Sequence, residues 1–194
     1  MRSDITRFGQ LDQDLIILAY LNGKKNGTFI DIGCGSPCYL SNTARLEKEY
    51  GWTGVAIDIK KENDCWTWND RPNTTMITCD ATKLDYQELF NKYFTGIDID
   101  FLSLDLEPPV LTFDVLKILP WSEWKPKVVA YESDSYRDNG CLQRDIEAQN
   151  FMRNMGYSLR AKLYPRLQHL LLKECECQDH IYVREDVIYN ETRA

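Results

Sequence analysis

Five short apolar runs recur along this chain, and each is halted by an acid or by a glycine turn. Residues 28–32 (Thr-Phe-Ile-Asp-Ile) run into Gly33-Cys34-Gly35-Ser36, and residues 54–59 close around Asp58. Residues 74–79 stop at Asp80, residues 97–104 run into Asp105-Leu106-Glu107, and residues 128–131 run into Glu132-Ser133-Asp134. The runs are short and β-branched, as buried strands are. Between them lie helix formers with start and stop signals. Residues 13–21 end at Asn22-Gly23. Ser41-Asn42-Thr43 offers capping side chains to a helix that passes Tyr50 and ends at Gly51. Residues 86–93 form a short helix, Thr112 caps one that Pro120 closes, and residues 144–155 form one stopped by Gly156. Residues 157–183 suggest a closing pair of strands, and residues 63–73, rich in Asn, Asp, Trp and Pro, read as a loop. Alternation of this kind predicts an α/β fold, a mainly parallel sheet with helices on both faces. Right-handed crossovers then bring every strand's carboxyl end to one edge.

That edge gathers Asp58, Asp80, Asp105, Glu107, Glu132 and Asp134 beside the Gly33–Gly35 turn. A single acid after a strand is ordinarily a loop residue or a helix cap. Repetition after four successive strands points instead to a ligand carrying hydroxyls and positive charge. The two glycines let the backbone turn tightly and approach a ligand closely. Asp31, inside an apolar run, needs a partner: it either anchors the turn or faces the ligand. Asp58 lies 25 positions past Gly33, where a carboxylate accepts both hydroxyls of a ribose. Asp80-Ala81 is placed to meet the exocyclic amine of an adenine. A dinucleotide reading fits less well, because Gly33-x-Gly35-x-x-Cys38 lacks the third glycine and Pro37 interrupts the helix start.

The 194 residues are most economically one domain: a helical lead-in over 1–27, a core over 28–183 and a tail over 184–194. A net charge of −7 disfavours a nucleic-acid partner. Residues 1–7 lack the apolar core of a signal peptide, and no run reaches transmembrane length. Seven cysteines, an odd number, read as free thiols. A cytoplasmic location without membrane attachment is therefore expected.

With these residues in place, the chain resembles the class I S-adenosylmethionine-dependent methyltransferases and, more narrowly, the FkbM-type methyltransferase family. The resemblance rests on Asn22-Gly23-Lys24-Lys25-Asn26-Gly27 leading into Phe29-Ile30-Asp31-Ile32-Gly33, and on Ser41-Asn42-Thr43 with Leu46-Glu47. It continues in Gly51-Trp52-Thr53-Gly54-Val55-Ala56-Ile57-Asp58 and in Ile99-Asp100-Phe101-Leu102-Ser103-Leu104-Asp105-Leu106-Glu107, and covers residues 13–183. It implies a Rossmann-like methyltransferase sandwich: a seven-stranded, mostly parallel sheet with an antiparallel last strand. It implies S-adenosyl-L-methionine as cofactor, S-adenosyl-L-homocysteine as product, and Asp31, Gly33, Gly35, Asp58, Asp80 and Asp105 at the cofactor site. Cys34, Asn42, Thr43, Ile59 and Ala81, their neighbours, are assigned to the same site. Pro108-Pro109 stands where the family often carries glycine, and stiffens that loop.

Methyl transfer is an in-line displacement, so positioning dominates, and an oxygen acceptor also needs its proton removed. Asp105, Glu107 and Glu132 are the candidate catalytic acids; Asp134, Tyr136 and Arg137 are candidates to bind a small-molecule or sugar acceptor. These hard oxygen donors could also hold Mg²⁺, or could cap helices and pair with Arg137 and Arg144. Cys175-x-Cys177 with His180 hints at zinc but lacks an evident fourth ligand. Cys34 and His169 read as packing residues. Trp66 and Trp68 either roof an acceptor pocket or fold their loop onto the sheet. The competing functions are a catalytically silent nucleoside-binding module and a nicotinamide-dependent oxidoreductase.

Overall fold

A computed structural model describes residues 8–133, 141–164 and 178–187. Seven strands form one sheet: β1 (Thr28–Ile32), β2 (Thr53–Asp58), β3 (Thr74–Thr78), β4 (Phe101–Leu104), β5 (Val128–Glu132), β6 (Tyr157–Leu163) and β7 (Asp179–Arg184). Their order is β3-β2-β1-β4-β5-β7-β6. β1 to β5 run parallel, and β7 lies antiparallel between β5 and β6. This is the expected seven-stranded sheet with its last strand reversed.

Among the described residues five α-helices cover it: α1 (Gln13–Tyr20), α2 (Ala44–Tyr50), α3 (Tyr86–Phe94), α4 (Val110–Ile118) and α5 (Cys141–Asn154). Side-chain alternation in the strands explains the two layers. Ile30 and Ile32, with Val55, Ile57, Leu102, Leu104 and Val129, meet Phe90 and Phe94 of α3, Leu116 of α4 and Met152 of α5. Phe29, Phe101, Val128 and Ala130 face the other way, onto Ile17 and Leu18 of α1, Leu46 of α2 and Trp52. Asp31 shares that second face with Phe29.

Three expectations need correction. β4 begins at Phe101 rather than at Ile97. The chain reaches it through Asp100, whose buried carboxylate accepts from the Thr28 N–H at 3.0 Å and pairs with Lys24 at 2.6 Å and Lys127 at 2.8 Å. Thr112 does not cap α4 but lies in its first turn. Its hydroxyl brackets Leu106, accepting from the amide at 3.0 Å and donating to the carbonyl at 3.2 Å. Of Ser41-Asn42-Thr43, only Ser41 takes the capping role, its hydroxyl accepting from the amides of Thr43 and Ala44. Residues 63–73 form the expected loop, which holds one 3-10 turn, Trp68–Asp70, with the Asp70 carboxylate accepting from the Thr67 N–H at 2.9 Å.

β1 is where chain order reverses. β2 and β3 lie on one side of it, β4 and β5 on the other, and such a switch point opens a crevice at the carboxyl ends of the strands. The register keeps those ends level, with Ile32 opposite both Ile57 and Leu104, and Leu104 opposite Tyr131. No helix of the described residues is long and apolar enough to cross a membrane.

Candidate cofactor and active site

A cavity of about 350 Å³ opens at this crevice. The turn after β1 contributes Gly33 and Gly35, the end of β2 Asp58 and Ile59, and the exit of β3 Asp80, Ala81 and Thr82. The loop after β4 contributes Asp105, Leu106 and Glu107, and α4 contributes Leu111. Strand ends distant in sequence thus meet around one space, as the repeated acids required.

Gly33 is where β1 and β4 touch. Its φ is +82°, and a Cβ there would stand 1.7 Å from the Asp105 carbonyl oxygen. Its amide donates to the Ile57 carbonyl at 2.8 Å, tying the turn to β2. Gly35 also has positive φ, +57°, but a Cβ there would meet nothing within 4 Å. Conformation alone constrains it. Its amide donates to Asp58 Oδ2 at 2.9 Å, while Asp58 Oδ1 accepts from the Lys60 amide at 3.2 Å. Each Asp58 oxygen therefore holds main chain, and retains a second lone pair for a ligand hydroxyl.

Asp80 caps the short helical turn Ala81–Lys83. Its Oδ1 accepts from the Thr82 amide at 3.0 Å and hydroxyl at 2.6 Å, and Lys83 stands 2.9 Å from Oδ2. The Thr82 and Lys83 bonds hold its carboxyl down at about 2.

Behind the glycine turn sits a second layer. Asp31 is buried and accepts from the Thr43 hydroxyl at 2.7 Å. Burial pushes its pKa up to about 6, against the opposing pull of Thr43, Ser103 and Arg71. Asn42 Nδ2 donates to the Ser103 hydroxyl at 3.1 Å, and its buried Oδ1 has no hydrogen-bond partner among the described residues. Cys34 turns into the sheet, its sulfur 3.7 Å from Met76 Sδ and packed with Ala56 and Trp68; burial raises its thiol pKa. Asp31, Cys34, Asn42 and Thr43 thus stand outside the lining. Glu132 is also outside it, buried at the end of β5 opposite Asp179 of β7. Asp134, Tyr136, Arg137, His169, Cys175 and Cys177 lie outside the described residues. His180 is buried, with Asp145 3.0 Å from its Nδ1.

Asp105, Glu107 and Glu132 form no three-ligand cluster among the described residues. Trp68 folds the loop onto the sheet, buried against Ala56 and Met76 with its indole N–H on the Glu62 carbonyl at 2.8 Å, while Trp66 packs on Phe8 with ring centroids 5.6 Å apart.

Sequence reasoning missed Thr82, Leu106 and Leu111 in the lining. Thr82 was legible as the partner of a capping aspartate; the two leucines were indistinguishable from core residues. It also missed Arg71, a fully buried guanidinium that pairs with Glu47 and donates to the Pro37 carbonyl at 2.8 Å and the Thr43 and Thr74 hydroxyls at 3.1 Å each. It fixes the segment that leads from the glycine turn into α2. Nothing local in a loop of Asn, Asp, Trp and Pro marks such an arginine.

No protein-family profile matches the chain, and no curated protein matches it in sequence. Solved structures do match. The "putative hemolysin" of Lactococcus lactis aligns over 96% of this chain and 99% of its own, at TM-score 0.59 and 10% identity. The "putative rRNA-methylase" of Clostridium thermocellum aligns over 92% of this chain and 97% of its own, at TM-score 0.58 and 14% identity. Aeropyrum pernix fibrillarin, whose structure holds natively bound S-adenosyl-L-methionine, aligns over 82% and 67%, at TM-score 0.50 and 12% identity. The chain has the Rossmann-like fold of the class I S-adenosylmethionine-dependent methyltransferases.

Proposed function

We propose that this chain is an S-adenosyl-L-methionine-dependent methyltransferase of the FkbM type, acting on a hydroxyl of a small molecule or sugar. The observation that carries the reading is the cavity at the switch point, where Gly33 leaves no room for a side chain and Asp58 stands at the end of the neighbouring strand. The residues present fit the cofactor. Asp58 offers acceptor lone pairs to ribose hydroxyls, and Ile59 and Ala81 an apolar slot for the base. Acidic lining at Asp58, Asp80, Asp105 and Glu107 suits a cationic ligand.

When bound, the cofactor supplies an electrophilic methyl group on a sulfonium. The chain's own part is to hold the acceptor in line and take its proton. Asp105 and Glu107, the carboxylates that the loop after β4 brings to the cavity, are the groups assigned to accept it. Glu132, buried at the end of β5, is a positioning group in this reading. A net charge of −7 argues for a small acceptor over a polyanion.

Thermal unfolding with S-adenosyl-L-homocysteine, and with a nicotinamide cofactor as control, tests the reading. At 100 times its dissociation constant the ligand adds about 2.7 kcal/mol. A selective rise in midpoint is expected; no rise at saturation overturns the cofactor assignment, and binding without turnover of any hydroxyl acceptor would favour a silent module. Asp105→Asn should cut turnover by roughly 10²-fold or more, the scale of proton-transfer catalysis, while S-adenosyl-L-homocysteine affinity holds within about twofold. Equal losses would move Asp105 to the cofactor.

A further inference from the structure

Away from the cavity lining, three ligand-bearing side chains converge where the segment after the glycine turn meets the loop after β2. Cys38 is fully buried, Cys65 is exposed and Asp64 lies between, and one ligand atom from each falls within 4.8 Å of the others. We propose that Cys38, Asp64 and Cys65 form a binding site for a thiophilic divalent cation of the zinc class, which ties the loop after Ile59 to the segment leading into α2. The proposal is independent of whether the cavity takes S-adenosyl-L-methionine.

The carboxylate is already held in place. Asp64 Oδ2 accepts from the amides of Cys38 at 3.1 Å and Tyr39 at 2.5 Å, and Oδ1 accepts from the Trp66 amide at 2.7 Å. The first two bonds draw the two segments together and the third shapes the loop, bringing Cys38 and Cys65 close although they lie 27 positions apart in sequence. Outer hydrogen bonds of this kind are what orient metal-ligating carboxylates. Around a tetrahedral zinc, ligand atoms stand about 3.5–4 Å apart, so the present spacing needs only side-chain rotation to close. Two sulfurs and one oxygen select a borderline-soft ion over Mg²⁺ or Ca²⁺, which take oxygen alone. The exposed Cys65 gives the ion access, and leaves water as the fourth ligand. The two thiols surrender their protons to solvent as the cation binds, so three groups that cannot all be anionic side by side become compatible.

Cadmium is the probe, because its thiolate bonds absorb in the ultraviolet. The reduced, metal-free full-length protein is titrated with Cd²⁺, and Zn²⁺ is then added to displace it. The expected result is one equivalent bound with a two-thiolate band, abolished by Zn²⁺. Cys65→Ser, an exposed position whose fold circular dichroism verifies, should lose half of that band and at least tenfold in affinity. Cys175→Ser/Cys177→Ser should titrate like the wild type. Zn²⁺ should raise the unfolding midpoint of the wild type and not of Cys65→Ser. A Cys65→Ser titration identical to wild type, or loss of the band in the Cys175/Cys177 variant, overturns the site. So does a reduced protein that takes up no Cd²⁺ and whose Cys38 and Cys65 only join as a disulfide under peroxide.

Discussion

The two halves of the cavity rim are held in opposite ways. On the β1–β3 half the acids hold the main chain: Asp58 receives the amides of Gly35 and Lys60, and Asp80 receives the amide and hydroxyl of Thr82. On the β4 half the main chain is held by others. The Asp105 amide donates to the Ile32 carbonyl at 2.9 Å, and the Thr112 hydroxyl brackets Leu106 between Asp105 and Glu107. The first half is a cradle whose carboxylates are structural as well as cavity-lining. The second presents Asp105 and Glu107 on a backbone that the Ile32 carbonyl and the Thr112 hydroxyl also hold. Mutations should therefore couple stability to binding on the first half and separate them on the second.

The largest effect should come from Arg71, which underpins the first half. Removing it leaves Glu47 buried without its cation, a loss of about 3–5 kcal/mol. Arg71→Ala should unfold at markedly lower urea, and any folded remainder should bind S-adenosyl-L-homocysteine weakly, since Pro37 and Thr43 lose their tether. A variant with wild-type stability would remove the scaffold from the comparison.

Next is the seam. At Gly33→Ala the added methyl meets the Asp105 carbonyl, a backbone atom that cannot swing aside, in a left-handed conformation. Overpacking of about 1–3 kcal/mol adds to about 1–2 for the conformation. At Gly35→Ala only the second cost applies. Urea denaturation of the pair should separate them by about 1–3 kcal/mol; equal losses would mean that the two rim halves do not touch at Gly33.

Asp31, behind the seam, should make stability depend on pH. Its folded pKa, about 6, lies above its ordinary 3.8 because burial disfavours the charge. The folded state thus holds the proton more tightly. The contribution is full below about 4 and is lost as pH rises through 6. A shift of that size is worth about 3 kcal/mol, so the stability of Asp31→Asn relative to wild type should improve by about 2–3 kcal/mol between pH 4 and 7. A constant difference across that window would show an Asp31 that titrates normally.

Much of this was legible in the chain. The five runs and their terminal acids gave the sheet, its parallel core and the edge where Gly33, Asp58, Asp80 and Asp105 meet, because strand period and stop signals are local. What escaped was set by partners far off in sequence. Ile97 reads as strand, but Asp100, clamped between Lys24 and Lys127, starts β4 later. Cys34 looks like turn-lining backbone, but its side chain faces Met76 across the sheet. Asn42 and Thr43 look like caps, yet bond Ser103 and Asp31 on neighbouring strands. Glu132 reads like Asp105 as an acid after a strand, yet it is the last residue of β5, buried opposite Asp179 of the antiparallel β7.

The smallest effect, and the sharpest test of the cradle, is Asp58→Ala. A charge-assisted hydrogen bond is worth about 1.5–3 kcal/mol, so losing one to a ribose hydroxyl should weaken S-adenosyl-L-homocysteine by roughly 10- to 100-fold in calorimetry. Gly35 loses its amide acceptor at the same time, so stability should fall with affinity. Asp58→Asn separates the two. Its amide oxygen still receives the Gly35 N–H, so stability should largely return while affinity recovers only in part, the charge being gone. Full recovery of affinity in Asp58→Asn would mean that Asp58 serves the ligand only by shaping the turn. Unchanged affinity in Asp58→Ala would take the ribose away from it altogether.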